Sequence, residues 1–209
     1  MDYTKESCRD FTRLLASSSP TPGGGGAAAL AGALGAALGE MVAALTVGKK
    51  RYAGAEEEIK AAAAELERLR EKLLDAVTED AEAFLPLSRA YKLPKEEPGR
   101  EEKLERATLT ACAAPKKIME LGCRALELTA VMAEKGSVMA VSDAGCAAAM
   151  LKAAVDSAAL NVYINTGSLR DREQAEKLNA ACLEMQHSCE RLWGDIYGKV
   201  KAALLEQGR

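Results

Sequence analysis

Residues 20–52 read PTPGGGGAAALAGALGAALGEMVAALTVGKKRY, and the reading of this stretch decides the fold. It opens on Pro20 and Pro22 with the consecutive glycines Gly23, Gly24, Gly25 and Gly26. No charged residue follows before Glu40, and the run closes on the basic turn Gly48-Lys49-Lys50-Arg51. Leu30, Leu34, Leu38, Val42 and Leu45 recur at three- and four-residue spacing, a helical stripe. Most other positions are Ala or Gly, with Gly32, Gly35 and Gly39 inside the pattern. Each helical glycine costs about 1 kcal/mol relative to alanine, so close approach by another helix or a ligand must offset it. The charge-free run 14–39 is long enough to cross a membrane, but prolines and glycines fill its first half and the rest is weakly apolar. It reads as a buried helix of a soluble protein with no membrane partner.

The rest of the chain agrees. At 209 residues, one domain spanning 1–209 is expected. An aromatic share of 4% with abundant alanine favours close-packed helices over strands. The net charge of −3, with acids and bases interspersed, argues against nucleic acid as a partner. The amino terminus lacks a basic-then-apolar signal pattern. The six cysteines form no C-x-x-C pair, which fits a reduced cytoplasmic protein with buried thiols.

In chain order, the pattern predicts a short amphipathic helix over 3–17, then the glycine-rich helix. A long helix over 55–87 carries the stripe Ile59, Ala62, Leu66, Leu69, Leu73, Val77, Ala81 and Phe84, with Pro86 kinking or ending it. After a loop at 92–99, a helix over 100–113 is expected, and Pro115 in the first turn of another that reaches 134. Residues 142–165 form a second Ala/Gly-rich helix. The last, 171–205, has interleaved seven-residue series: Leu178, Met185, Leu192 and Cys182, Cys189, Ile196, Ala203. The expected class is all-α: a bundle of about seven helices with the two small-residue helices at its centre. If the bundle alone cannot cover them, a homo-oligomer will.

Chemistry has few places to sit. The glycine run enters a helix amino terminus, where N–H groups and the helix dipole favour an anion; the alternative is a turn that lets helices pack tightly. Ser142 is a plausible N-cap with Asp143 in the first turn, where a carboxylate is stabilised. Ordinary capping is the commoner reason for that pair; the functional reading is an ionised carboxylate fixed beside a cleft. Asp80 falls between Val77 and Phe84, beside the apolar stripe. Asn161 and Asn165 share a helix face and need partners if buried. Lys49 follows the glycine-rich helix and could hold an acidic tail. His187 is the single histidine and reads as solvent-facing, so histidine catalysis and a multi-histidine metal site are not supported. Trp193 reads as packing.

Taken in order, PTPGGG, AALAGALGAAL, LTVGKK, D-x-x-AF, LPK, SDAG and NVYIN resemble the cyclodeaminase/cyclohydrolase family, over about Pro20 to Asn165. The resemblance implies an all-helical homodimer acting on a tetrahydrofolate derivative, possibly polyglutamylated, with no cofactor beyond that substrate and no metal. Either 5-formiminotetrahydrofolate closes to 5,10-methenyltetrahydrofolate with loss of ammonia, the leading expectation, or the methenyl form is hydrated to 10-formyltetrahydrofolate. It also implies Asp143 and Asp80 as catalytic carboxylates, with Pro22, Gly23, Gly24, Gly25, Lys49, Ser142, Asn161 and Asn165 around the folate. Two departures remove polar side chains: Gly26 stands where a serine is common, and Gly136-Ser137-Val138-Met139 where the family often has asparagines. A non-catalytic binding module on the same fold is the alternative of another class.

Overall fold

The computed structural model describes residues 2–206, and among them there are six α-helices and no strand. The helices are α1 (Cys8–Leu15), α2 (Gly24–Ala44), α3 (Glu56–Tyr91), α4 (Arg100–Lys135), α5 (Val141–Thr166) and α6 (Arg172–Glu206). Short 3₁₀ turns occupy Tyr3–Lys5, Lys50–Ala55 and Val138–Ala140. The expected first helix is thus split, and α1 starts where the Ser7 hydroxyl accepts the Asp10 N–H at 3.1 Å.

The count is six and not seven because Pro115 does not break its helix, and α3 likewise runs on past Pro86. Pro86 lies inside α3, and it is exposed, so the Glu82 carbonyl that it deprives of a donor can turn to water. Pro115 lies inside α4 and is buried, and the expected break at 113–115 is absent. The carbonyl orphaned there belongs to Ala111, four residues back. Asn165 repairs the loss, its Nδ2 donating to Ala111 O at 3.1 Å. A side chain of α5 therefore keeps α4 in one piece.

Helix α4 shares the centre of the bundle with α2 and α5. The long helix in contact with all four others is α4; α2 packs against α3, α4 and α5, and α5 against α2, α4 and α6. On α2 the buried positions are small: Gly25, Gly26, Ala28, Ala29, Gly32, Ala33, Gly35, Ala36 and Gly39 line up with Val42 and Ala43. The leucine series is the outer side, with Leu34 and Leu45 exposed. The buried contacts need the missing side chains. A Cβ at Gly35 would stand 2.7 Å from Leu151 Cγ and 3.0 Å from the Ala147 carbonyl; one at Gly39 would stand 2.9 Å from Leu66 Cδ1.

The α3 stripe is buried from Ile59 to Ala81 as expected, and Cys182, Cys189 and Ile196 of α6 join the same core. Ion pairs tie α3 to its neighbours: Arg70 to Glu40 at 2.7 Å, and Arg124 to Glu65 through two hydrogen bonds of 2.7 and 2.8 Å. Partly exposed pairs of this kind contribute at most about 1 kcal/mol each, so apolar packing carries the bundle. His187 is exposed, and Trp193 stacks on Tyr197 with ring centroids 5.5 Å apart.

One face is left uncovered. On α5, Ser142, Cys146, Met150, Ala153, Ser157, Leu160 and Ile164 are exposed in a single charge-free stripe at helical spacing. The adjoining face of α2 exposes Leu34, Met41 and Leu45. Both helices are long and apolar enough to cross a membrane by length and composition.

Packing of this tightness predicts opposite outcomes for two glycines. Gly35→Ala should lower the unfolding free energy by about 1–3 kcal/mol through overpacking. Gly194→Ala, in α6 with nothing within 4 Å of its Cβ position, should leave it unchanged or raise it by up to about 1 kcal/mol. Urea titrations of the two variants check this.

Candidate functional site

The sequence candidates fall into two groups at opposite ends of the bundle. The first surrounds the amino terminus of α2. Pro22 and Thr21 are buried, and the turn that holds them is tied down by the Tyr3 hydroxyl, 2.8 Å from Thr21 Oγ1. Helix α2 begins at Gly24, with Gly23 extended and without a side-chain cap. Its first N–H groups are thus left for other partners.

Asp80 of α3 stands against this helix start. Its carboxyl lies so close to Gly25 that a Cβ there would stand 2.1 Å from Asp80 Oδ1. Any side chain at Gly25 must push Asp80 away. The Gly26 N–H faces the carboxyl and favours its charge. Burial outweighs that help and raises the Asp80 pKa from the ordinary 3.8 to about 6. Gly26 itself is not sterically required, since a Cβ would meet Pro22 and Val77 only at 3.5 Å and beyond.

Asp80, Gly23, Gly24, Asn161 and Asn165 open on one cleft of about 190 Å³, with Thr21, Phe84, Ala111, Pro115 and Ile164 completing its walls. Asn161 donates its amide to Ser157 O at 2.8 Å, and Asn165 donates to Ala111 O. Their N–H groups thus serve the protein itself. A larger groove of about 360 Å³ crosses Pro86, Arg89, Lys103 and Arg106, but none of the sequence candidates lines it.

The second group lies where α2 ends and α5 begins. Asp143 is half-buried in the first turn of α5. Ser142 does not cap that helix, as the sequence pattern predicts. The helix starts at Val141, the capping position falls two residues back at Ala140, and Ser142 sits inside the first turn, exposed. The preceding 3₁₀ turn continues almost directly into α5, which explains the shift. Lys49 Nζ donates to Ser137 Oγ at 3.4 Å, Thr46 Oγ1 accepts the Ser137 N–H at 2.7 Å, and the Tyr52 oxygen accepts the Val138 N–H at 3.1 Å. That last bond lowers the Tyr52 pKa.

Asp143 and Asn161 are eighteen residues apart on one straight helix. At 1.5 Å per residue that separates them by about 27 Å. Within one chain Asp80 is joined by Pro22, Gly23, Gly24, Gly25, Asn161 and Asn165, while Lys49, Ser142 and Asp143 are not brought to it. The hydroxyls of Thr21, Tyr52 and Ser137 escape a reading of the sequence. Isolated Ser, Thr and Tyr carry no spacing signal, and only the fold places them.

An all-helical domain whose glycine-initiated helix cradles a partly buried carboxyl group is the class that fold and site define. Residues 7–184 match the family model described as formiminotransferase-cyclodeaminase, and the chain belongs to that family. It is 40% identical over 203 residues to a methenyltetrahydrofolate cyclohydrolase of Methylorubrum extorquens, covering 93% of this chain and 98% of that protein. It is 31% identical over 175 residues to the formimidoyltransferase-cyclodeaminase of Mus musculus, covering 82% of this chain but only 32% of that longer protein. The solved structure of a formiminotetrahydrofolate cyclodeaminase from Thermotoga maritima superposes with a TM-score of 0.83 at 29% identity, over 99% of both chains. The resemblance carried by the ordered motifs is borne out.

The Asp80 pKa makes a signed prediction. Between pH 3.8 and about 6 the folded protein holds a proton that the unfolded chain releases. Stability linked to Asp80 is therefore full below that window and is lost as the pH rises through it. Asp80→Asn should be more stable than the parent by about 1–3 kcal/mol at pH 8, with the gap closing toward pH 4.5. Urea unfolding at both pH values measures it.

Proposed function

We propose that the chain is a folate one-carbon enzyme that hydrates 5,10-methenyltetrahydrofolate to 10-formyltetrahydrofolate. The observation that carries the reading is Asp80, a carboxyl group in a glycine-walled cleft whose pKa of about 6 lets it accept and return a proton near neutrality. In the reaction, water adds to the cationic carbon between two nitrogens and loses a proton. The ring then opens as one of those nitrogens leaves and takes a proton. One carboxyl group can serve both transfers. Closing the 5-formimino compound with loss of ammonia passes through the same cationic carbon and makes the same demands. Hydration is placed first because the relative matched over 98% of its own length is named a cyclohydrolase. The Thermotoga maritima cyclodeaminase structure favours deamination as the second reading.

A folate needs more room than this cleft gives. Ligand sites usually enclose roughly 300–1,000 Å³, against about 190 Å³ here. The apolar stripe of α5 borders the cleft at Ile164 and carries no charge, which suits it to meeting a second copy. In a two-fold pair with the α5 helices running antiparallel, the start of one α5 lies beside the end of the other. Asp143 from one copy would then stand near Asp80 of the other and stabilise the cationic carbon. Lys49 would arrive with it, suited to the anionic glutamate tail. The proposed active unit is thus a homodimer with two composite sites.

Absorbance assays that follow methenyltetrahydrofolate decide the chemistry; a protein that neither consumes nor forms it and does not bind folate is a non-catalytic module. Asp80→Asn and Asp143→Asn should each lower turnover by at least about a hundredfold. Mixing the two inactive variants through a cycle of unfolding and refolding should restore about a quarter of parental activity. Half the random dimers are mixed, and each mixed dimer holds one intact site. No recovery would refute the composite site while leaving the folate reading to the direct assays.

A further inference from the structure

A second set of reactive groups lies away from the cleft, between α4, α5 and α6. All six cysteines are free thiols, and two of them meet across the α4–α6 contact. The Cys123 thiol of α4 donates to Met185 O of α6 at 3.8 Å, and Met185 stands one helical turn before Cys189 on the same face, so both thiols lie in one α4–α6 contact. Cys189 is 2% exposed, whereas Cys123 is half-buried and so open on one side. The two helices run in the same direction, since each is separated from α5 by one reversal. Facing Cα atoms of helices packed about 8–10 Å apart fall within the roughly 7 Å that a disulfide can span.

We infer that Cys123 and Cys189 are a reversible redox pair that closes a disulfide between α4 and α6 when a peroxide is present. The neighbouring Cys123 thiol and the Lys152 ammonium lower the Cys189 pKa against the opposing effects of burial, Asp156 and Glu127. Lys152 is itself fixed by Glu190 at 2.7 Å and by Asp156, whose other oxygen accepts from Gln186 at 2.9 Å. The accessible Cys123 sulfur attacks one peroxide oxygen, giving a sulfenic acid and, with the thiol proton, water. The Cys189 thiolate sulfur then attacks the Cys123 sulfur and expels hydroxide, which takes up the proton that Cys189 released and leaves as water. Two thiols are oxidised by two electrons and one peroxide is reduced to two waters. The product pins α6 to α4 across the 66-residue separation between the two cysteines, and a long loop of that kind stabilises the folded chain.

The remaining cysteines set the controls. Cys8 and Cys146 are exposed and can link separate molecules, and Cys112 of α4 lies near Cys182 of α6. The test therefore uses the full chain with Cys8→Ser and Cys146→Ser, treated with hydrogen peroxide and mapped by peptide mass spectrometry. The expected result is a mass loss of about 2 Da, a cross-linked peptide pair containing Cys123 and Cys189, and reversal by dithiothreitol. The oxidised form should melt at least about 5 °C higher than the reduced form. Adding Cys123→Ser should abolish the cross-link and the shift while leaving the reduced melting temperature within a few degrees. A link between Cys112 and Cys182 instead, irreversible oxygen addition at Cys123, or unreacted thiols under peroxide that oxidises free cysteine would overturn the inference.

Discussion

The bundle depends on the close approach of α2 to α3 and α5, which only missing side chains allow. Gly32 presses on Leu73, Gly35 on Leu151 and the Ala147 carbonyl, and Gly39 on Leu66. The same constraint reaches the chemistry, because Gly25 gives its missing side chain's place to the Asp80 carboxyl. The glycines that let helices touch thus continue into the glycine that holds an acid. Burial keeps that acid near a pKa of 6 against the pull of the Gly26 amide, a cost in stability that suits a proton-transferring group.

The second organising fact is geometric. A straight helix cannot bring its own ends together, so Asp143 and the Asn161–Asp80 cleft stay apart in one chain. The side of α5 between them is free of charge over seven exposed positions. Under the proposed dimer these two facts have one explanation, since a face that joins antiparallel copies also exchanges their ends. Asn165 shows how closely fold and cleft are linked. It lines the cleft and at the same time satisfies the carbonyl that Pro115 leaves open.

Much of this was legible in the residues. The 3.6-residue periodicity of α3 gave its buried face from Ile59 to Ala81, and the ordered motifs gave the family. A helix break at Pro115 is what local rules expect, because they count the lost hydrogen bond but not its repair, which comes from a side chain fifty residues away. The leucines of α2 were visible as a stripe, but periodicity alone does not say which stripe faces inward; here the small residues do. Ser142 missed the cap by one turn-register shift of the helix start. The distance between Asp80 and Asp143 was invisible, because motifs in sequence order carry no information about which end of a bundle they occupy.

The central claim is that folate is bound between two copies of the chain. The most direct test places a charge at the middle of the apolar stripe, Ala153→Glu, about 18 Å along α5 from either end, and measures mass by sedimentation equilibrium alongside methenyltetrahydrofolate binding by fluorescence titration. The account predicts a folded, helical monomer whose folate affinity falls by at least about a hundredfold, with binding recovering only at concentrations where dimer re-forms. A variant that is monomeric yet binds folate with parental affinity would contradict it.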